Sequence, residues 1–210
     1  AATPAGYLAR YRSLGQFIPE GSKSGAAAAA VYVTHKVLPL DHRHFGQLSR
    51  ATVRAAEAFH ARARRFALEL ADCVHALVPC APDSNLVCLA LNPCGNASVA
   101  GANAFVRALH DTLRCDPAQP LQLKEFFGSV TSLRPEVLGA AETARILTGL
   151  ALDASTLERD GDDDRLLILR HTLMNPYLID HENGISYIDR YFEFLGRRVR
   201  ALTAAVHAPP

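Results

Sequence analysis

The 210-residue sequence has no tryptophan, one methionine and only three lysines, Lys23, Lys36 and Lys124. Chemistry that needs a lysine amine therefore has three candidates in it. It also has no excess charge of either sign, with 22 Lys+Arg against 21 Asp+Glu. That balance gives no general attraction to nucleic acid or to anionic lipid, so neither is expected as a partner. No apolar run approaches the roughly 18–20 residues of a membrane span. The longest, Ala26 to Val33, is mostly alanine and closes at Thr34-His35-Lys36. Among Cys73, Cys80, Cys88, Cys94 and Cys115 there is no C-x-x-C pair, which argues against a zinc site or a thiol redox motif. Cys73, Cys80 and Cys88 sit among apolar residues and are expected to be small buried hydrophobes. No secretory leader is recognisable, and the cytoplasm is the expected compartment. The start at Ala1 fits either ordinary processing or a portion of a longer protein.

What is present is a foldable chain. Hydrophobic residues make up 49% of it, too many for a disordered segment. Helical spacing is expected over Ala26–Leu38, and its alanine walls suggest burial on most sides. Pro39 stops that helix. A longer helix is expected from His44 to Leu70, with Leu48, Thr52, Ala55, Phe59 and Phe66 as its apolar stripe and Arg62, Arg64 and Arg65 on a solvated face. Short apolar runs at Val74–Val78 and Leu86–Leu91 indicate strands, as do Leu121–Thr131 and Arg165–Leu173. Helices are expected at Ala97–Leu113 and Ala140–Leu150. A last one carries Ile185, Ile188, Phe192, Leu195, Val199, Leu202 and Val206 on one stripe. Asp160 to Asp164 forms an acidic turn without the ligand spacing of a calcium loop. Long helices followed by strands interleaved with helices predict an α+β layer with helices on one sheet face.

Three features carry possible chemistry. Gly21-Ser22-Lys23-Ser24-Gly25 opens a helix, where free N–H groups and hydroxyls favour an anion, although Ser22 or Ser24 also suits a plain N-cap. It is not a P-loop, because the glycine spacing fails. Arg170 lies in an otherwise apolar strand, and burial there demands an anionic partner. That partner is either an internal carboxylate or the carboxylate of a substrate. Thr34-His35-Lys36 places a His-Lys pair within a helix. His42 and His44 are expected at the surface, and no metal site is expected.

Several segments together resemble group II pyridoxal-phosphate-dependent amino-acid decarboxylases, in particular the bacterial tyrosine decarboxylase type. They are Glu20 to Val31, His35 to Leu40, Pro82 to Val87, Glu125 to Thr131, and Leu169-Arg170 followed by Asn175-Pro176-Tyr177. The resemblance implies a fold type I architecture, α/β overall and α+β for this portion, with helices packed on a short, mainly antiparallel sheet. Residues 1–70 would end the large domain, and residues 71–210 would form the small C-terminal domain. It implies pyridoxal 5'-phosphate as cofactor and an L-amino acid as substrate. The partner would be a second copy in a homodimer of the complete enzyme, or the upstream half of a split one. Arg170 matches the arginine that binds the substrate α-carboxylate. Ser22, with Ser24 beside it, matches the position that helps hold the cofactor phosphate across the dimer interface. Tyr7 or Tyr11 is a candidate for the tyrosine of the mobile loop.

One departure matters for mechanism. The family's Ser-x-His-Lys motif, and the histidine and aspartate that hold the cofactor ring, lie upstream of the matched region. Thr34-His35-Lys36 matches the helix after the active-site loop and does not replace that motif. The implied protein is therefore about twice as long as this chain, and this portion alone is expected to carry no catalytic residue and no decarboxylase activity. The alternative is a stand-alone, catalytically dead homologue serving in dimerisation or regulation. Ser129 and Thr131 are candidates to approach the substrate side chain.

Overall fold

The computed structural model describes residues 25–116, 118, 120–157 and 163–207. The chain divides into two compact units, residues 1–47 and 48–210. In the first, helix α1 spans Gly25–Val37 and has no buried residue. The burial expected of it is therefore corrected: Val31, Tyr32 and Val33 are all more than half exposed. An alanine run raises helix propensity wherever the helix sits, so it does not report a covering partner. After α1 the chain turns on Asp41, whose Oδ1 accepts from the backbone N–H groups of Arg43 (2.8 Å) and His44 (3.1 Å) and from His44 Nδ1 (2.8 Å). Those bonds, the His44 side chain first, lower the Asp41 pKa. Gly46 closes the turn because a Cβ there would lie 2.7 Å from the Asp41 carbonyl oxygen. His42 and His44 are exposed, as expected.

Helix α2, Gly46–Glu69, presents Ala55, Ala56, Phe59, Ala63 and Phe66 as buried residues, at spacings of three and four. The second unit is built on a four-stranded antiparallel sheet. Its strands are β1 (Val74–Leu77), β2 (Leu86–Pro93), β3 (Ser129–Leu133) and β4 (Leu166–Thr172), in the order β1-β2-β4-β3. Between β2 and β3 runs α3, Val99–Leu113, whose N-cap Ser98 accepts from Gly101 N–H at 3.1 Å. A short α4 (Pro135–Leu138) and then α5 (Ala140–Gly149) follow β3. After β4 come a two-stranded hairpin of β5 (Ile179–Asp180) and β6 (Ile185–Ser186), then α6, Tyr187–His207.

Side chains alternate across the sheet, and both of its faces are covered. Val87, Leu89, Leu91 and Leu169 join the buried residues of α2, most of α3 and α6 in one core. Ala90, Leu166 and Ile168 face the other way, onto Ile146 and Leu147 of α5. The expectation of helices on a single face is thus corrected, because α5 packs behind the sheet. The strand expected over 121–131 is also displaced. Leu121–Leu123 is a 3-10 turn, and the strand begins at Ser129, after Phe126 and Phe127. The last helix starts at Tyr187, so Ile185 belongs to the hairpin, whereas Ile188, Phe192, Leu195 and Val199 form the buried stripe as expected.

The buried asparagines of the second unit are paired, whereas Arg62 Nη1 is buried without a hydrogen-bond partner among the described residues. Asn103 of α3, fully buried, donates from Nδ2 to Asp163 Oδ1 (2.8 Å) and the Arg165 carbonyl (2.9 Å), while its Oδ1 accepts from Leu167 N–H at 2.7 Å. Asn92 donates to the carbonyls of Asn96 and Leu150, both at 2.8 Å. Of the arginine run, Arg62 is not solvated as expected. It pairs with Glu69 (3.0 Å) and Asp189 (3.1 Å) and sits over the Phe192 ring, whereas Arg64 and Arg65 are exposed.

Candidate functional site

The end of β4 and the start of β3 open on a cavity of about 430 Å³. Gly128 sets the start of β3: its N–H donates to the Leu113 carbonyl at 3.2 Å, and a Cβ there would come within 2.9 Å of the Leu113 side chain. Phe126 and Phe127 before it, Phe59 from α2 and Tyr191 from α6 give the cavity aromatic walls. Met174, exposed, forms part of the rim.

Arg170 lines this cavity and is exposed rather than buried, which corrects the burial expected for it. The sheet register explains why. Ser129 and Cys88 lie directly opposite Arg170 on its two neighbouring strands, so the three side chains share a face. That face is covered near Leu166 and Ile168 and open at this end. Arg170 Nε donates to Ser129 Oγ at 3.3 Å, and the Ser129 hydroxyl donates to the Arg170 carbonyl at 3.1 Å. Among the described residues no carboxylate lies within ion-pair distance of the guanidinium. No internal counter-ion is therefore found in that set, and Arg170 sits at the rim of the cavity, its side chain on the sheet face of Ser129 and Cys88 while Phe59 and Tyr191 belong to the opposite face.

The next residue on the strand, His171, is in the opposite environment. It is buried and stacks against Phe59 at 4.6 Å between ring centroids. Its Nδ1 lies 3.1 Å from the Val87 carbonyl oxygen, which can only accept, so Nδ1 carries the proton. Nε2 is then the acceptor for the Tyr191 hydroxyl at 2.6 Å. Burial lowers the imidazole pKa from 6.5 to about 4 and pushes that of the Tyr191 phenol up. The pair is neutral around pH 7 and holds the aromatic wall in place. Reading the sequence missed it, because residues 171 and 191 meet only through the packing of α6 on the sheet. The one available signal was a histidine at an inward position of a strand.

Other candidates fall elsewhere. Ser129 joins Arg170, whereas Thr131 does not line the cavity. Ser22 and Ser24, like Lys23, Tyr7 and Tyr11, lie outside the described residues, as do Asp160 to Asp162. Lys36 is exposed over the Tyr32 ring, and Lys124 donates to the Thr112 carbonyl at 2.5 Å. Neither lysine lines the cavity, and among the described residues no carboxylate does. No group of three or more His, Cys, Asp or Glu side chains among the described residues is placed to hold a metal ion. Cys80 and Cys115 are exposed, and Cys73, Cys88 and Cys94 are partly buried, so full burial of the thiols is corrected as well. No helix of the described residues is long and apolar enough to cross a membrane.

Comparison with known proteins places this arrangement beside amino-acid decarboxylases. No family profile matches the chain. It is similar to the L-tyrosine decarboxylase of Levilactobacillus brevis, 29% identical over 197 residues that cover 92% of this chain and 30% of that protein. The L-tyrosine decarboxylase of Enterococcus faecalis is 28% identical over 177 residues, covering 83% of this chain and 27% of the relative. A third, from Enterococcus faecium, is 27% identical over 193 residues. The chain thus spans less than a third of the length of the relatives it matches, not the half that the resemblance implied.

Proposed function

We propose that this chain is the C-terminal portion of a pyridoxal-phosphate-dependent L-amino-acid decarboxylase of fold type I. Residues 1–70 end its large domain and residues 71–210 form its small domain. The observation that carries the reading is Arg170: an exposed guanidinium without a carboxylate partner among the described residues, anchored by Ser129 beside an aromatic-walled cavity. Similarity to L-tyrosine decarboxylases supports it, and the aromatic lining supports an aromatic substrate such as L-tyrosine. Arg170 holds the α-carboxylate, and Ser129 fixes the guanidinium plane.

The cavity lining does not fit the cofactor itself. It contains no lysine for covalent attachment and no carboxylate to pair with the ring nitrogen. In this reading both come from an upstream portion, with Ser22 and Ser24 donating to the phosphate across a cytoplasmic homodimer or from one half of a split enzyme. This chain supplies the substrate side of the site.

Two measurements test the reading. Calorimetric titration with 3-(4-hydroxyphenyl)propionate should show binding by the wild-type chain and at least about a tenfold weaker affinity in Arg170→Gln. Equal affinities would remove Arg170 from the site. Added pyridoxal phosphate should change its absorbance stoichiometrically only when the upstream portion is co-expressed. Stoichiometric borohydride fixation on Lys36 of the isolated chain would overturn the division of labour proposed here.

A further inference from the structure

We propose that Cys73 and Cys94 are a cross-strand dithiol that a glutathione-type small-molecule disulfide oxidises to an intramolecular disulfide, a modification site outside the Arg170 cavity. The β1–β2 register pairs Val74 with Pro93, so the next pair outward sets Cys73 opposite Cys94. The Cys94 N–H donates to the Cys73 carbonyl at 3.0 Å, which carries the pairing one step beyond the strands. Directly opposed residues point to the same face, and in a hydrogen-bonded pair such as this one their Cβ atoms lie at the wide end of the range, about 5.5 Å apart. A disulfide needs about 3.5–4.5 Å. The sulfurs also turn the same way: Cys73 Sγ lies 3.5 Å from the Leu70 carbonyl oxygen and Cys94 Sγ lies 3.8 Å from that of Ala71, the next residue.

The remaining closure, on the order of 1 Å, falls where the backbone is least constrained. The Cys73 N–H donates to the Leu70 carbonyl at 3.0 Å instead of to Cys94, so a single interstrand bond spans the pair. Gly95, with φ of +84° and nothing within 4 Å of its Cβ position, follows directly. Both thiols are partly accessible. Burial and the neighbouring Asp72 carboxylate push the Cys73 thiol up, which casts it as the second thiol to react.

The step balances in two exchanges. The Cys94 thiolate attacks the small disulfide and expels one thiolate, leaving a mixed disulfide on Cys94. The Cys73 thiolate then attacks Cys94 Sγ and expels the second. Two protein thiols are oxidised, one disulfide is reduced to two thiols, and the two protons go to solvent or to the departing thiolates. The product ties the turn after α2 to the end of β2, just before Asn96 and the Ser98 cap of α3.

The test equilibrates the 210-residue chain with oxidised and reduced glutathione, blocks free thiols and digests before aspartate. Cleavage at Asp72, Asp83 and Asp111 separates the segment bearing Cys73 and Cys80 from the one bearing Cys88 and Cys94. A Cys80→Ser/Cys88→Ser variant should still give the linked pair, at a yield independent of protein concentration. Cys73→Ser and Cys94→Ser should each abolish it. Oxidation should raise the Tm by at least about 5 °C, reversibly on reduction, and not in Cys94→Ser. Glutathione adducts without the internal link, a link that requires Cys80 or Cys88, or a Tm unchanged by oxidation would each overturn the proposal.

Discussion

The two ends of β4 are built on opposite plans. At Leu166–Leu167 the buried Asn103 satisfies the strand's N–H, a neighbouring carbonyl and an aspartate, so the end is closed by the protein itself. At Arg170–Thr172 the strand carries an exposed guanidinium whose hydrogen-bond partner among the described residues is the Ser129 hydroxyl, at the rim of an aromatic-walled cavity. Asn103 is paired internally on each side of its amide, because leaving a buried polar group unpaired costs about 1–3 kcal/mol. The Arg170 guanidinium avoids that cost by staying at the surface. His171 marks the boundary: one residue beyond Arg170, it returns to the closed plan.

That contrast can be broken by experiment. The largest expected effect is on pH dependence. The His171 pKa is about 4 in the fold against 6.5 for a free histidine, so the unfolded chain takes up this proton first as pH falls. Stability contributed by neutral His171 is complete above pH 6.5 and declines down to about pH 4, by about 3 kcal/mol in all. Urea unfolding across that range should show the decline, and His171→Gln should flatten it. A slope that persists in the variant would assign it to other groups. Next in size, Asn103→Ala should cost roughly 2 kcal/mol in urea unfolding, since it strands the Leu167 N–H and the Arg165 carbonyl. A change below about 0.5 kcal/mol would mean that water takes over both bonds and the closed end is not closed. Smallest is Arg170→Gln, which should leave stability within about 0.5 kcal/mol of wild type. A loss comparable to that of Asn103→Ala would make Arg170 a structural residue and erase the distinction between the two ends.

Much of the fold was legible because periodicity is local. Phe59 and Phe66, or Ile188, Phe192, Leu195 and Val199, announce a buried helical face by their spacing alone. The failures share a cause. Phe126 and Phe127 look like strand residues, but they precede the strand and wall a cavity that exists only once α2 and α6 are in place. The alanines of α1 look like core, although an unbroken alanine run favours helix wherever it sits and marks no one face for burial. Arg170 looked buried because its strand is apolar, yet the open end of the sheet face exposes it. Its role as a carboxylate ligand stays a proposal, one that an exposed arginine could fill without the cost of a buried charge.

By itself the sequence determined most of the element types, the near-neutral net charge, the short supply of lysine and the choice of Arg170 as the residue to watch. Tertiary structure alone decided that Arg170 meets Ser129 rather than a carboxylate, that His171 gives one proton and receives another, and that Cys73 faces Cys94. The physical reason is range. Helical and strand patterns are set by neighbours within a few residues, whereas these contacts join positions from 20 to 84 residues apart, and only the register of the sheet and the packing of α6 bring them together.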